Sequence, residues 1–128
     1  MNPRLRMAVQ LIHSNLHRNI RLEEIAEEAG LKHSRLGELF RVELGMPPLK
    51  YHRLLRLERA SELLGKTNWT VDRIRLELGY DHTRFYRDFK THFGLTPSQY
   101  RAHWDTNAPS PPQTILSAKP PLNWNNSH

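Results

Sequence analysis

The 128-residue chain contains no cysteine. Disulfides, thiol nucleophiles and cysteine-ligated zinc or iron–sulfur sites are therefore excluded. Long apolar runs are missing too. None exceeds four residues, whereas a membrane-spanning helix needs about 20. Met1-Asn2-Pro3-Arg4 leads into no apolar h-region, so no secretory signal is expected and the cytosol is the expected location. The chain has no P-loop, dinucleotide fingerprint, HExxH helix or nucleophile elbow, so an enzyme is not expected. His13 and His17 stand four apart on one helix face, but no third ligand is near in sequence. A surface role is the better reading for them, and neither metal nor cofactor is expected. At 38% hydrophobic, the sequence suffices for one domain with a modest core.

Positive charge is in excess. Lysine and arginine number 19 against 13 acids, giving +6. The excess is uneven. Arg4, Arg6 and Arg18 make residues 1–19 basic, while Glu23, Glu24, Glu27 and Glu28 make residues 20–29 acidic. Residues 30–60 and 70–104 are basic again. An acidic patch between basic stretches suits a protein that meets a polyanion with particular surfaces.

The most informative feature is a repeat. Shifted by 49 residues, Leu22–Arg53 falls on Val71–Ala102 without a gap, and nine of 32 positions are identical. The identities include Ile25/Ile74, Gly30/Gly79, His33/His82, Arg35/Arg84, Phe40/Phe89, Gly45/Gly94, Pro48/Pro97 and Tyr51/Tyr100. Two copies with a long spacer are too few for a stacked solenoid. In copy one, Leu22, Ile25, Ala26 and Ala29 recur at helical spacing, Gly30 punctuates, and Leu36, Leu39, Phe40 and Val42 or Leu44 give a second helix closed by Gly45. Copy two repeats this with Val71, Ile74, Leu78, Gly79, Phe85, Phe89, Phe93 and Gly94. Helix, short glycine-bearing turn, helix is the helix-turn-helix pattern, which a plain αα-hairpin shares. The outer faces tip the balance: Arg35, Glu38 and Arg41 in one copy, Arg84, Arg87 and Lys90 in the other.

Pro48–Gly65 joins the copies. Its apolar stripe (Tyr51, Leu54, Leu55 or Leu57, Ala60, Leu63, Leu64) and basic stripe (Arg53, Arg56, Arg59) predict one helix over about 48–64, roughly 26 Å long at 1.5 Å per residue. That length and the flanking units would set the two second helices about one DNA turn apart, ~34 Å. Asn2 and Pro3 open a helix bearing Leu5, Ala8, Val9, Ile12 and Leu16. A last helix starts at Thr96-Pro97, with Tyr100 and Trp104 facing inward. The expectation is an all-α fold of seven helices over 3–105, with helix-turn-helix units at about 22–43 and 71–92. Residues 106–128, rich in proline and asparagine, read as an extended or disordered tail. Ile115, Leu116, Leu122 and Trp124 are its only means of docking on the domain.

Leu22-Glu-Glu-Ile-Ala-Glu-Glu-Ala-Gly-Leu31, Arg56-Leu-Glu-Arg-Ala60 with Leu63-Leu64, and Phe85-x-Arg87-x-Phe89-Lys90-x-x-Phe93-Gly-Leu-Thr-Pro-Ser98-x-Tyr100-Arg101 resemble the DNA-binding domain of AraC/XylS-family transcription regulators. The resemblance covers about 100 residues. It implies two helix-turn-helix subdomains joined by a long linker helix, each placing a helix in one of two successive major-groove segments. It puts the base-reading positions at Ser34, Gly37 and Glu38 in the first lobe and at Thr83, Arg84 and Arg87 in the second. Three features depart from the family pattern. Glu38 stands in place of an arginine and Gly37 offers no side chain. The turn Tyr80-Asp81-His82 is one residue shorter than in many relatives. No length remains for the effector or dimerisation domain most relatives carry, so the chain resembles the small single-domain members or a fragment.

The expected DNA-contacting set is His33, Ser34, Arg35, Gly37, Glu38, Arg41, His82, Thr83, Arg84, Arg87 and Lys90. Arg84 and Arg87 read bases or phosphates, and Arg41 and Lys90 hold phosphates. Arg56 is expected to pair with Glu58 or Glu62, His92 and His103 to lie at the surface, and Trp69 and Tyr80 to pack between helices. The expected partner is double-stranded DNA bound by a monomer, with RNA polymerase as a further contact through Glu23–Glu28 or the tail. The alternative is a protein-interaction module with weak DNA binding.

Overall fold

A computed structural model describes residues 1–105. The tail at 106–128, with Ile115, Leu116, Leu122 and Trp124, lies outside the described residues. Seven α-helices follow in order: α1 (Pro3–His13), α2 (Leu22–Ala29), α3 (His33–Leu44), α4 (Pro48–Lys66), α5 (Val71–Glu77), α6 (His82–Phe93) and α7 (Pro97–Asp105). No strand occurs among the described residues. The fold is all-α, with two helix-turn-helix motifs on either side of α4.

Local chemistry sets the boundaries. The Asn2 side chain accepts hydrogen bonds from the amides of Arg4 (2.8 Å) and Leu5 (3.3 Å), and Pro3 fills the first turn of α1. Thr70 caps α5 and Asp81 caps α6 through side-chain oxygens. Thr96 and Gln99 bond reciprocally at the start of α7. Each reciprocal cap satisfies amides that the first helical turn leaves open.

The repeat is reproduced in space, pair by pair. Gly30 and Gly79 both take left-handed backbone, at φ 65° and 62°. One residue on, Leu31 N–H donates to the Ala26 carbonyl at 2.9 Å and Tyr80 N–H to the Arg75 carbonyl at 3.0 Å. Phe40 meets Tyr51 edge-on at 5.9 Å, and Phe89 meets Tyr100 edge-on at 5.5 Å. The start of α7 is therefore the second copy of the start of α4.

α1, α2 and α3 form lobe one, and α5, α6 and α7 form lobe two. α4 is more than a spacer between them. It packs on α1 and α3 and also on α5 and α7. Its first half is buried nearly all round: Tyr51, His52, Leu54, Leu55, Arg56 and Leu57. Gly65 does not end it. α4 runs on to Lys66, and at Gly65 the Trp104 indole lies where a Cβ would stand. In α3, Leu44 takes the core position and Val42 is exposed.

Candidate nucleic-acid interface

The two second helices have one dry face and one wet face. α3 buries Leu36, Leu39, Phe40 and Leu44, and α6 buries Phe85, Phe89 and Phe93. On α3, His33, Ser34, Arg35, Glu38 and Arg41 are exposed, and Gly37 is half-buried with open space where a Cβ would project. On α6, His82, Thr83, Arg84, Arg87 and Lys90 are exposed. His33 and His82 each form the first residue of their helix. Each set of expected contacts thus shares one helix surface.

The charge on those surfaces differs. In lobe one Arg35 and Glu38 form an ion pair one turn apart. The cation and the departing glutamate answer each other, and Arg41 is left as the remaining positive group of the face. In lobe two Arg87 lies 3.5 Å from Asp88, whose carboxylate also accepts from the Tyr80 hydroxyl at 2.9 Å. Among the described residues no carboxylate pairs with Arg41, Arg84 or Lys90. The helix starts differ as well. Asp81 caps α6, whereas Lys32 before α3 makes no side-chain cap.

In each lobe an arginine from the preceding long helix holds the turn ahead of the second helix. Arg4 of α1 donates to the carbonyls of Ala29 (3.1 Å) and Gly30 (3.2 Å). Arg56 of α4 donates to the matching carbonyls, Leu78 and Gly79. Cationic side chains suit the negative end of a helix. Arg4 is exposed, but Arg56 is buried, and it makes two further contacts. Its Nη1 reaches Asn19 Oδ1 at 2.9 Å, in the α1–α2 loop of lobe one, and its guanidinium lies 4.4 Å over the Tyr80 ring. The expected pairing of Arg56 with Glu58 or Glu62 is replaced by backbone carbonyls. Position 56 lies on the row of His52 and Ala60, the side of α4 that both lobes cover. Gly79 sits so close to lobe one that a Cβ there would collide with the His17 carbonyl.

Lobe one grips α4 through two histidines. His13 bonds to the Tyr51 hydroxyl at 2.9 Å, so this residue, expected at the surface, is half-buried with an internal partner. His52 Nε2–H donates to the Asn15 carbonyl at 2.8 Å. Burial pushes the His52 pKa down to about 4, with the nearby positive charges of Arg56 and Arg18 acting the same way. Burial also raises the Tyr51 hydroxyl to about 12. His92 and His103, expected at the surface, are half-buried. His92 is shifted down by burial and by Lys50. Tyr80 is buried as expected, and Trp69 is half-buried beneath the Arg73 guanidinium. Glu24 of the acidic patch is already engaged, by Arg18 at 3.0 Å and by the Arg21 amide. Among the described residues no helix is long and apolar enough to cross a membrane, and no acidic or histidine cluster could hold a metal ion.

Comparison with known proteins agrees with this geometry. The family model described as a helix-turn-helix domain matches residues 25–103. The chain is 32% identical over 108 residues to the lactose operon transcription activator of Staphylococcus xylosus, covering 84% of this chain and 39% of that protein. It spans about a third of the length of the curated relatives it matches. A transcriptional regulator with an AraC-type DNA-binding domain from Chromobacterium violaceum superposes with a TM-score of 0.74 at 34% identity, covering 80% of this chain and 92% of that one. The DNA-binding domain of AdpA, solved with a target DNA, shares the fold at a TM-score of 0.78 and 24% identity, covering 85% and 99%. With both lobes, the linker helix and the C-terminal block matched, the chain belongs to the AraC-type helix-turn-helix family of transcriptional regulators.

Proposed function

We propose that this chain binds double-stranded DNA sequence-specifically and regulates transcription by reading two successive major-groove segments. The observation that carries this is the pair of amphipathic helices, α3 and α6, presented by duplicated turns with their polar faces open. Thr83, Arg84 and Arg87 read bases in lobe two, and Arg87 can bond a guanine through both N7 and O6. Lys90, Arg41, His33 and His82 hold phosphates, helped by backbone amides at the helix starts. Ser34, Gly37 and Glu38 face the first groove, where Glu38 can only accept, for instance from cytosine N4. A monomer suffices, because one chain carries both reading helices. Contact with RNA polymerase through Glu23, Glu27 and Glu28 follows the role of activator that the Staphylococcus relative's name gives that protein.

The alternative reading, a protein-interaction module, draws support from the Arg35–Glu38 pair, which removes net charge from the lobe-one face. A binding-site selection with purified protein, followed by salt titration on the selected and a scrambled duplex, separates the two. DNA binding predicts an enriched two-part site and affinity that falls steeply with salt. No enrichment over random sequence would leave the interaction module.

A further inference from the structure

A basic cleft lies beside α6, at the edge of the face given to the bases. Its volume is about 640 Å³, and Lys50 and Arg53 of α4 face Arg84 and Arg87 of α6 across it. A second hollow of about 260 Å³ shares Arg53 and Arg84 with it and continues to Asn19. Five cationic side chains, the buried Arg56 among them, therefore line the two hollows. The acid of the cleft, Asp88, is already held by the Tyr80 hydroxyl and Arg87. His92 also lines the cleft, and its Nε2, shielded from solvent, has no hydrogen-bond partner among the described residues.

Two faces of α6 overlap at Arg84 and Arg87. Arg84, Arg87, Asp88 and Thr91 follow at i, i+3, i+4 and i+7 along the side turned to α4. Thr83 and Lys90 lie off that side. Arg84 borders both hollows, so its guanidinium is shared between trough and groove face.

We propose that the α4–α6 cleft seats the phosphodiester backbone of the bound duplex between the two grooves, with Lys50, Arg53 and Arg84 as its cationic cradle. This rests on the DNA-binding reading above. It makes the linker helix a third DNA-contacting element. A charge cradle without base edges supplies affinity and register but no sequence preference.

The test uses the full chain on two 30-base-pair duplexes, a selected site and a random sequence. Lys50→Ala with Arg53→Ala should lower the slope of log K against log salt by about 1.8, at roughly 0.9 per lost phosphate contact. The fold-loss of affinity should be the same on both duplexes. Lys66→Ala, half that charge change at the far end of α4, should leave the slope unchanged. Wild-type protein on selected duplexes carrying single methylphosphonates should lose affinity when a phosphate between the two half-sites is neutralised, a readout independent of whether the variant folds. Inorganic phosphate at matched ionic strength should not displace DNA. An unchanged slope in the double variant with native circular dichroism overturns the proposal. So does an equal loss per charge removed in Lys66→Ala, no sensitive central phosphate, or displacement by phosphate that the double variant abolishes, which would assign the cleft to a free anion. If wild type binds neither duplex, the DNA reading itself fails and this one falls with it.

Discussion

The two lobes are copies of one plan, and the same device is built into them at different depths. In lobe one the arginine that holds the turn, Arg4, is exposed and serves only that turn. In lobe two Arg56 does the same work while buried, and it also ties the turn to Asn19 of the other lobe. The outer faces differ in the opposite sense. Lobe one neutralises itself through Arg35 and Glu38, and lobe two leaves Arg84 and Lys90 unpaired among the described residues. Lobe one thus carries the milder charge toward a groove, and lobe two carries the structural dependence.

The sharpest way to break this comparison is to remove both turn-holding arginines one at a time. Arg56→Ala leaves two carbonyls and Asn19 without a buried donor. It should cost about 3 kcal/mol or more, since hydrogen bonds to charged groups are worth ~1.5–3 kcal/mol each and orphaned buried groups add to that. Arg4→Ala, with water available to the same carbonyls, should cost about 1 kcal/mol or less. Urea unfolding of both variants measures the gap, and equal losses would erase the difference in depth.

Next is pH. His52 is neutral in the fold down to about pH 4 but titrates near 6.5 when unfolded. Between those values the unfolded chain binds a proton that the native chain does not. Stability is therefore lost as pH falls from 6.5 toward 4 and changes no further from this group below that, by up to about 3 kcal/mol. His13 and His92 are shifted in the same direction. His52→Gln should flatten most of the slope. Lobe one's grip on α4 is thus titratable, whereas lobe two's, an arginine, is not. A pH-independent melting temperature over 4–6.5 in the wild type would contradict this.

On DNA, Arg87→Ala should cost ~1–3 kcal/mol on a selected site and relax one base position. A smaller effect is expected at the matched position of lobe one. Glu38→Gln frees Arg35, so non-specific binding should tighten and the salt slope steepen by about 0.9, one added phosphate contact. Loss of specific binding in Glu38→Gln would instead make Glu38 a base reader. Smallest is Gly37→Ala. The position is mid-helix with open space for a Cβ, so the variant should gain about 0.5–1 kcal/mol in thermal unfolding. Its counterpart in lobe two is already a tyrosine, Tyr86.

Which parts were legible follows from how each signal is written. Apolar spacing of 3.6 marks the helices that bury one stripe, and Asn2-Pro3 and Thr96-Pro97 mark the starts of α1 and α7. The repeat carried the lobes. Arg56 was misassigned because periodicity sorts arginine outward, and only the presence of two lobes around α4 makes that side interior. Gly65 looked like a terminator, since a glycine required by an approaching indole reads the same in one dimension. His92 looked like a surface residue because the cleft wall beside it is built from α4, forty residues earlier in the chain. Lys50 carries no signal of its own in the sequence, and Arg53 stands out only as part of the basic stripe of α4, where DNA contact is the lesser reading.

The contact of Gly79 with the His17 carbonyl, under the reach of Arg56, bears on how a duplicated gene segment ages. A fresh copy of a helix-turn-helix keeps its autonomy and can be moved, lost or recombined as a cassette. Here the second copy is not a free-standing cassette: its turn is completed by the linker helix and shaped to a loop of the first. Lobe one and lobe two should therefore melt in a single transition, and grafting lobe two alone onto another protein would transplant a unit with its keystone left behind.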